Sequence, residues 1–163
     1  MDSDRSFRQH LVALLDSASA HLTFDDAVKG VPPKLRGIRP PGAPHSAWEL
    51  LEHLRIAQSD ILEFTRDPAH VSPEWPSGYW PHSPVPPNPQ AWNESIKAFR
   101  ADRRALLAIA KDRSIDLHGQ IPHGNGQTVL RELLLVADHN AYHLGQLVLV
   151  RRMLEEIAKG TPS

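Results

Sequence analysis

Proline placement constrains the fold of this chain more than any other feature. Of the 15 prolines, five fall within residues 30–45 and eight within residues 68–89. Proline has no backbone N–H and its ring clashes with the preceding helical turn, so neither segment can form a continuous helix. The second segment also holds Trp75, Tyr79 and Trp80. It is too aromatic for a flexible linker, and we expect it to lie across the protein, either as a lid over a substrate pocket or as an anchored loop.

The remaining stretches place apolar residues at helical spacing. The predicted helices span residues 4–28, 46–66, 89–112 and 128–158. Ser6 with Gln9 is a capping-box pattern near the start of the first helix, and Ser46 with Glu49 repeats it in the second. Asn88 precedes a proline, which is typical of the start of a helix and predicts the third.

The last predicted helix carries apolar residues nearly all round its axis between Val129 and Val150. Such a helix needs apolar neighbours on two sides. We find no internal repeat and no strand pattern of useful length. We therefore predict an all-α fold, a four-helix bundle with long crossover connections, in a single domain over residues 1–163. A symmetric homodimer would cover the apolar surface that the core leaves over.

The composition excludes several classes of function. Lys and Arg total 18 against 19 for Asp and Glu, so no basic surface is available for nucleic acid, and we expect no such partner. The chain has no cysteine, so histidine and carboxylate must carry any metal site. The polar N-terminus and the lack of a long apolar run predict a cytoplasmic protein without a membrane partner.

His139 and His143 stand four residues apart in the last predicted helix. At this spacing both imidazoles lie on one face and can reach one ion. Zincins combine the same spacing with a glutamate after the first histidine, but Asn140 occupies that position here. The zincin mechanism is therefore excluded, whereas the pair can still be metal ligands or buried histidines satisfied by hydrogen bonds.

His53 is the third candidate ligand. It lies on the apolar side of the second predicted helix, between Leu50 and Ala57. An imidazole without a partner there would lose its hydrogen bonds to water. Antiparallel packing of the second and fourth helices would set His53 level with His139 and His143, so we predict one divalent metal ion on these three histidines.

Other side chains are candidates for places beside the ligands. Glu49 is one turn before His53, with capping as its alternative role. Glu132 is in the first turn of its helix, where a carboxylate also complements the helix dipole. Gln146 can face the site, and His123 can hang over it, although we expect a structural or surface position for His123. We expect Tyr142 in the core and surface positions for six further histidines: His10, His21, His45, His70, His82 and His118.

Residues 46–55, SAWELLEHLR, and residues 138–146, DHNAYHLGQ, together resemble the DinB/YfiT-like family of proposed metalloenzymes. The resemblance covers the whole chain. It implies a four-helix bundle, often homodimeric, in which one histidine of the second helix and an H-x-x-x-H pair of the fourth bind a divalent metal. His53, His139 and His143 hold those positions here. Characterised relatives include metal-dependent transferases that use low-molecular-weight thiols and a maleylpyruvate isomerase, whereas many members have no known reaction.

Three imidazole ligands leave at least one coordination position free, as in catalytic sites. A metal there can acidify a bound water or thiol, or polarise a carbonyl. Imidazole ligation without thiolate favours zinc or nickel. Two functions remain open at this point. One is a metal-dependent transferase or hydrolase that acts on a small-molecule substrate, with a low-molecular-weight thiol as co-substrate in the first case. The other is a non-catalytic bundle that binds a metal or a small molecule.

Overall fold

A computed structural model describes residues 3–16 and 20–160. These residues form five α-helices: α1 Ser3–Asp16, α2 Phe24–Val28, α3 Ala47–Arg66, α4 Ala91–Lys111 and α5 Val129–Gly160. No strand occurs within the described ranges, and the one β-type contact there is an isolated bridge between Gln120 and Thr128. The predicted all-α fold is confirmed.

The four long helices pack as a bundle. Helix α3 contacts α4 and α5, and α1 contacts the same two helices. Short α2 packs against α5. The two proline-rich segments connect α2 to α3 and α3 to α4, with single 3-10 turns at Pro33–Leu35 and Ser77–Tyr79. These are the long connections that the prolines predicted.

The start of α3 is fixed by its sequence. The Ser46 hydroxyl accepts a hydrogen bond from the Glu49 N–H at 3.2 Å, and the Glu49 carboxylate accepts one from the Ser46 N–H at 2.8 Å. This is the predicted capping box, which satisfies two donors that a helix start otherwise leaves unpaired. At the other end, Asp67 is the C-cap and Pro68 follows it. At the start of α4, the Asn88 side-chain oxygen accepts hydrogen bonds from the main-chain N–H groups of Gln90 and Ala91.

The prediction of one continuous helix over residues 4–28 is wrong. Helix α1 begins at Ser3, so Ser6 lies inside it rather than at its cap, and it ends at Asp16. A separate helix, α2, begins after Thr23, whose side chain accepts the Asp26 N–H. Part of the predicted stripe is also not buried, since Phe7, Leu14 and Leu22 are exposed, and its member Ala18 lies outside the described residues. The local N-cap at Thr23 outweighed the continuing apolar spacing.

The core has two parts, and their membership shows the direction of the helices. One cluster joins the first half of α3, through Leu51, to the second half of α5, through Leu147. The other joins the end of α3, through Leu62, to the start of α5, through Leu133. Helices α3 and α5 are therefore antiparallel, as the histidine register required. Among the described residues, no helix is both long enough and apolar enough to cross a membrane.

Candidate metal centre

Three imidazoles converge between α3 and α5. His53 Nε2 lies 3.1 Å from His143 Nε2 and 3.1 Å from His139 Nε2. One ligand atom from each ring lies within 4.8 Å of the other two. Antiparallel packing thus brings together the three histidines that the sequence singled out.

The outer nitrogens of two of these rings are held by acceptors. His53 Nδ1 donates to the main-chain carbonyl of Tyr79 at 2.8 Å. His143 Nδ1 donates to Oε1 of Gln146 at 3.0 Å. Since a neutral imidazole carries one N–H, both rings must present an Nε2 lone pair toward the centre. His139 Nδ1 is buried and has no hydrogen-bond partner in the described part of the chain.

Burial keeps these rings uncharged. It lowers the pKa of His53 to about 4, with the neighbouring His143 and His45 adding to the effect. It lowers the pKa of His139 to about 4 as well, helped by the other two imidazoles. The pKa of His143 is also lowered, mainly by burial. At neutral pH all three are in the form that binds metal.

This donor set fits a divalent cation. Two inward lone pairs, on His53 and His143, face each other at 3.1 Å and cannot hydrogen-bond without a proton that burial disfavours. A cation between them removes this repulsion. Tetrahedral zinc with Zn–N bonds of ~2.0–2.1 Å sets its nitrogens about 3.3 Å apart, close to the observed spacing.

A family model described as the DinB superfamily matches residues 8–147. The chain belongs to the DinB superfamily. No curated protein and no solved structure matches it. The match includes all three histidines and both proline-rich segments, so the site described above lies within the family region.

In this DinB-superfamily chain, the proline-rich segment 68–89 is hydrogen-bonded to α3 through the carboxylate of Asp60. Asp60 lies two turns after His53, and its Oδ2 accepts a hydrogen bond from the Tyr79 hydroxyl at 2.6 Å. Its Oδ1 accepts one from Nε2 of His70 at 2.7 Å. Burial and the bond to Asp60 raise the pKa of Tyr79 to about 12, so the phenol stays protonated and donates. The main-chain carbonyl of the same Tyr79 accepts the hydrogen bond from His53, so this network also contacts a candidate ligand of the DinB site.

Trp80 lies directly against the site. Its ring stacks on His53 with centroids 3.9 Å apart and planes 1° apart. His45 also stacks on Trp80, with centroids 3.9 Å apart. The sequence left two roles open for the aromatic residues of 68–89, a lid over a pocket or an anchored loop. Trp80 covers the ring of the candidate ligand His53, whereas Trp75 is 74% exposed and covers no candidate ligand.

Of the three other side chains that the sequence placed beside the ligands, only Gln146 has a hydrogen bond to a candidate ligand ring among the described contacts. Gln146 contacts His143, as described above. Glu49 pairs instead with Arg39 and the Ser46 N–H, so it acts as a cap. Glu132 is buried and pairs with Arg131.

His123 donates a hydrogen bond to the Phe64 carbonyl at 2.6 Å, in an exposed position away from the ligands. Tyr142 is 66% exposed, so the prediction that it packs in the core is wrong; its ring touches the edge of His143. The prediction of surface positions is wrong for His45 and His70, both of which are half-buried. Neither had a signal in the sequence, because both histidines lie on segments without helical periodicity.

Proposed function

We propose that this chain is a metal-dependent enzyme of the DinB superfamily, with a divalent ion held by His53, His139 and His143. The observation that supports it is the convergence of one ring nitrogen from each histidine within 4.8 Å of the other two, at a place where burial keeps the rings neutral. Zinc or nickel suits an all-imidazole set.

The chain's own residues orient and shield this centre. The Tyr79 carbonyl and Gln146 fix two ligand rings, and Trp80 covers the face of His53. Such outer partners set ring orientation and raise ligand basicity. When bound, a divalent ion supplies Lewis acidity, which can acidify a thiol or a water or polarise a carbonyl.

The reaction we propose is transfer of a low-molecular-weight thiol to an electrophilic small molecule, with hydrolysis of a small substrate as the alternative at the same centre. The chain has no cysteine, so a sulfur nucleophile must come from a small thiol. In the transfer, the sulfur forms a bond to the electrophilic carbon, the leaving group departs with its electron pair, and the thiol proton passes to solvent.

Metal content is the first test. Purified protein should hold about one divalent ion per chain, and His53→Ala or His139→Ala should remove most of it, because a two-ligand site is weak. His10→Ala, an exposed histidine on α1, is the control and should retain the ion. Stoichiometric metal in both ligand variants would exclude the three-histidine site.

Turnover is the second test. Zinc- and nickel-loaded protein should be incubated with glutathione, mycothiol or bacillithiol and an electrophile such as 1-chloro-2,4-dinitrobenzene, and with ester substrates for the hydrolytic alternative. Wild type should be active, His143→Ala should be inactive and His10→Ala should match wild type. Metal-loaded protein without any such turnover would favour the non-catalytic binding function.

We also propose that the chain acts as a homodimer through α5. Leu134, Tyr142 and Leu149 are exposed on this helix at 44%, 66% and 58%, and the intervening Ala141 and Gly145 are small and exposed. The spacing places these side chains on one stripe, which a second copy of the same helix can cover. The cytoplasmic location stays a prediction.

A further inference from the structure

A cavity of about 280 Å³ adjoins the candidate metal centre. Residues 41–45 form one wall, and the second half of α5 forms the other. Its apolar lining includes Pro44, Leu50, Leu149 and Met153, and its polar lining consists of His45 and Gln146. Among the described residues that line this cavity, there is no Asp, Glu, Lys or Arg.

The two polar residues connect this cavity to the ligand rings. Gln146 accepts the hydrogen bond from His143 Nδ1 at 3.0 Å through Oε1. His45 and His53 both stack on Trp80. A molecule in the cavity is therefore separated from His143 by one side chain, Gln146, and from His53 by two, His45 and Trp80.

The lining determines what can bind. Because Oε1 of Gln146 is used by His143, its amide N–H groups are the part left for a ligand, and they can only donate. Burial lowers the pKa of His45, so this imidazole adds no charge at neutral pH. An uncharged apolar body with a carbonyl-type acceptor fits these groups, whereas a charged group would lose its hydration without a partner.

We propose that this cavity binds the electrophilic substrate, as an uncharged apolar molecule whose carbonyl-type oxygen accepts hydrogen bonds from Gln146 and His45. The inference rests on the proposed function, since it assigns the cavity to one of that reaction's two substrates. Low-molecular-weight thiols carry charged or strongly polar groups, so they do not match this apolar lining.

The test is direct binding to the full chain, with and without zinc. Acetophenone, an uncharged aromatic ketone, should cause saturable NMR shifts at the Gln146 side-chain amide and at the main-chain amides of Ala43 and Leu149. Benzoate, of similar size but charged, should bind at least about tenfold more weakly.

Two variants separate the cavity from the metal site. Gln146→Glu keeps an acceptor for His143 Nδ1 but removes the amide donors, and Met153→Glu places a charge in the lining. Both should weaken acetophenone binding by about tenfold or more, and Met153→Glu, which alters no partner of a candidate ligand ring, should leave the metal content unchanged. Leu14→Glu, at an exposed leucine of α1 outside both the cavity and the α5 stripe, should change neither.

The outcomes distinguish the two proposals. Acetophenone binding that maps to the cavity in a protein without metal or turnover supports the cavity assignment and overturns the proposed function. Turnover by metal-loaded protein in which acetophenone shifts other residues, or binds no better than benzoate, overturns the cavity assignment alone.

Discussion

The main-chain carbonyl of Tyr79 accepts a hydrogen bond of 2.8 Å from Nδ1 of His53. The segment containing residues 68–89 thereby orients a candidate ligand that belongs to a different element, α3. Anything that holds this segment in place also holds the imidazole ring. Segment docking and metal binding are therefore linked, and each should strengthen the other.

Asp60→Asn should weaken metal binding without removing a ligand. The carboxylate accepts hydrogen bonds from the Tyr79 hydroxyl and from His70, and the neutral amide holds both less well. We expect a loss of about tenfold in metal affinity, smaller than that of His53→Ala, as measured by competition with a chromogenic chelator. Tyr79→Phe should act in the same direction. Glu74 is an exposed residue of the same segment, so Glu74→Gln is the control and should keep the wild-type metal affinity. Equal affinities for wild type, Asp60→Asn, Tyr79→Phe and Glu74→Gln would contradict the linkage.

Trp80→Ala and Trp75→Ala should differ in their effect on stability. Trp80 stacks on His53 and His45, so its loss should lower the free energy of unfolding by about 2 kcal/mol. Trp75 is 74% exposed, and its loss should change that free energy by less than about 0.5 kcal/mol. Urea denaturation of the metal-free proteins measures both. Equal losses would show that the segment is held mainly by contacts other than the Trp80 stack.

The metal-free protein should lose stability as the pH falls from about 6.5 toward about 4. In the folded state the pKa values of His53 and His139 are about 4, whereas an unfolded histidine has a pKa of ~6.5. Between these values the unfolded chain binds more protons, so the free energy of unfolding rises with pH in this window. Thermal unfolding in chelator at pH 7.5 and pH 5 tests this. The double variant His53→Gln, His139→Gln should show a weaker pH dependence, and an unchanged dependence would assign the effect to other groups.

Leu149→Glu should convert the proposed dimer to a folded monomer. Leu149 is 58% exposed on the α5 stripe. A glutamate there stays hydrated in the monomer, but it would lose that hydration without a partner in a helix interface. Light scattering after gel filtration gives the mass. Leu147→Glu is not an equivalent test, because Leu147 is fully buried and a charge there should unfold the protein. A wild-type mass of one chain across micromolar concentrations would exclude the dimer.

The parts of this fold that the sequence predicted have local causes. The start of α3 follows from Ser46 and Glu49, which stand three residues apart, and its end follows from the proline after Asp67. The spacing of His139 and His143 gives one helical face regardless of the rest of the chain. His53 was found because an imidazole on an apolar stripe needs a partner.

The parts that were missed depend on the path of irregular segments. Asp60 meets His70 and Tyr79 only because residues 68–89 fold back over α3, and no periodicity encodes that path. The position of His45 against Trp80 has the same origin. The break before α2 did have a signal, Thr23 three residues before Asp26, but the apolar spacing through this region favoured continuity and gave the wrong result.

A single unbroken helix carries His143, Gln146 and Leu149. At ~1.5 Å per residue, the six steps from His143 to Leu149 cover about 9 Å along the axis of α5. Because α5 is continuous from Val129 to Gly160, the helical rise sets this distance. A molecule that lies along the α5 wall of the cavity, from Gln146 beside His143 past Leu149, must therefore match this spacing, and one several ångströms shorter can contact only one end. Selection by molecular length thus follows from the rise of a helix rather than from the identity of one lining residue.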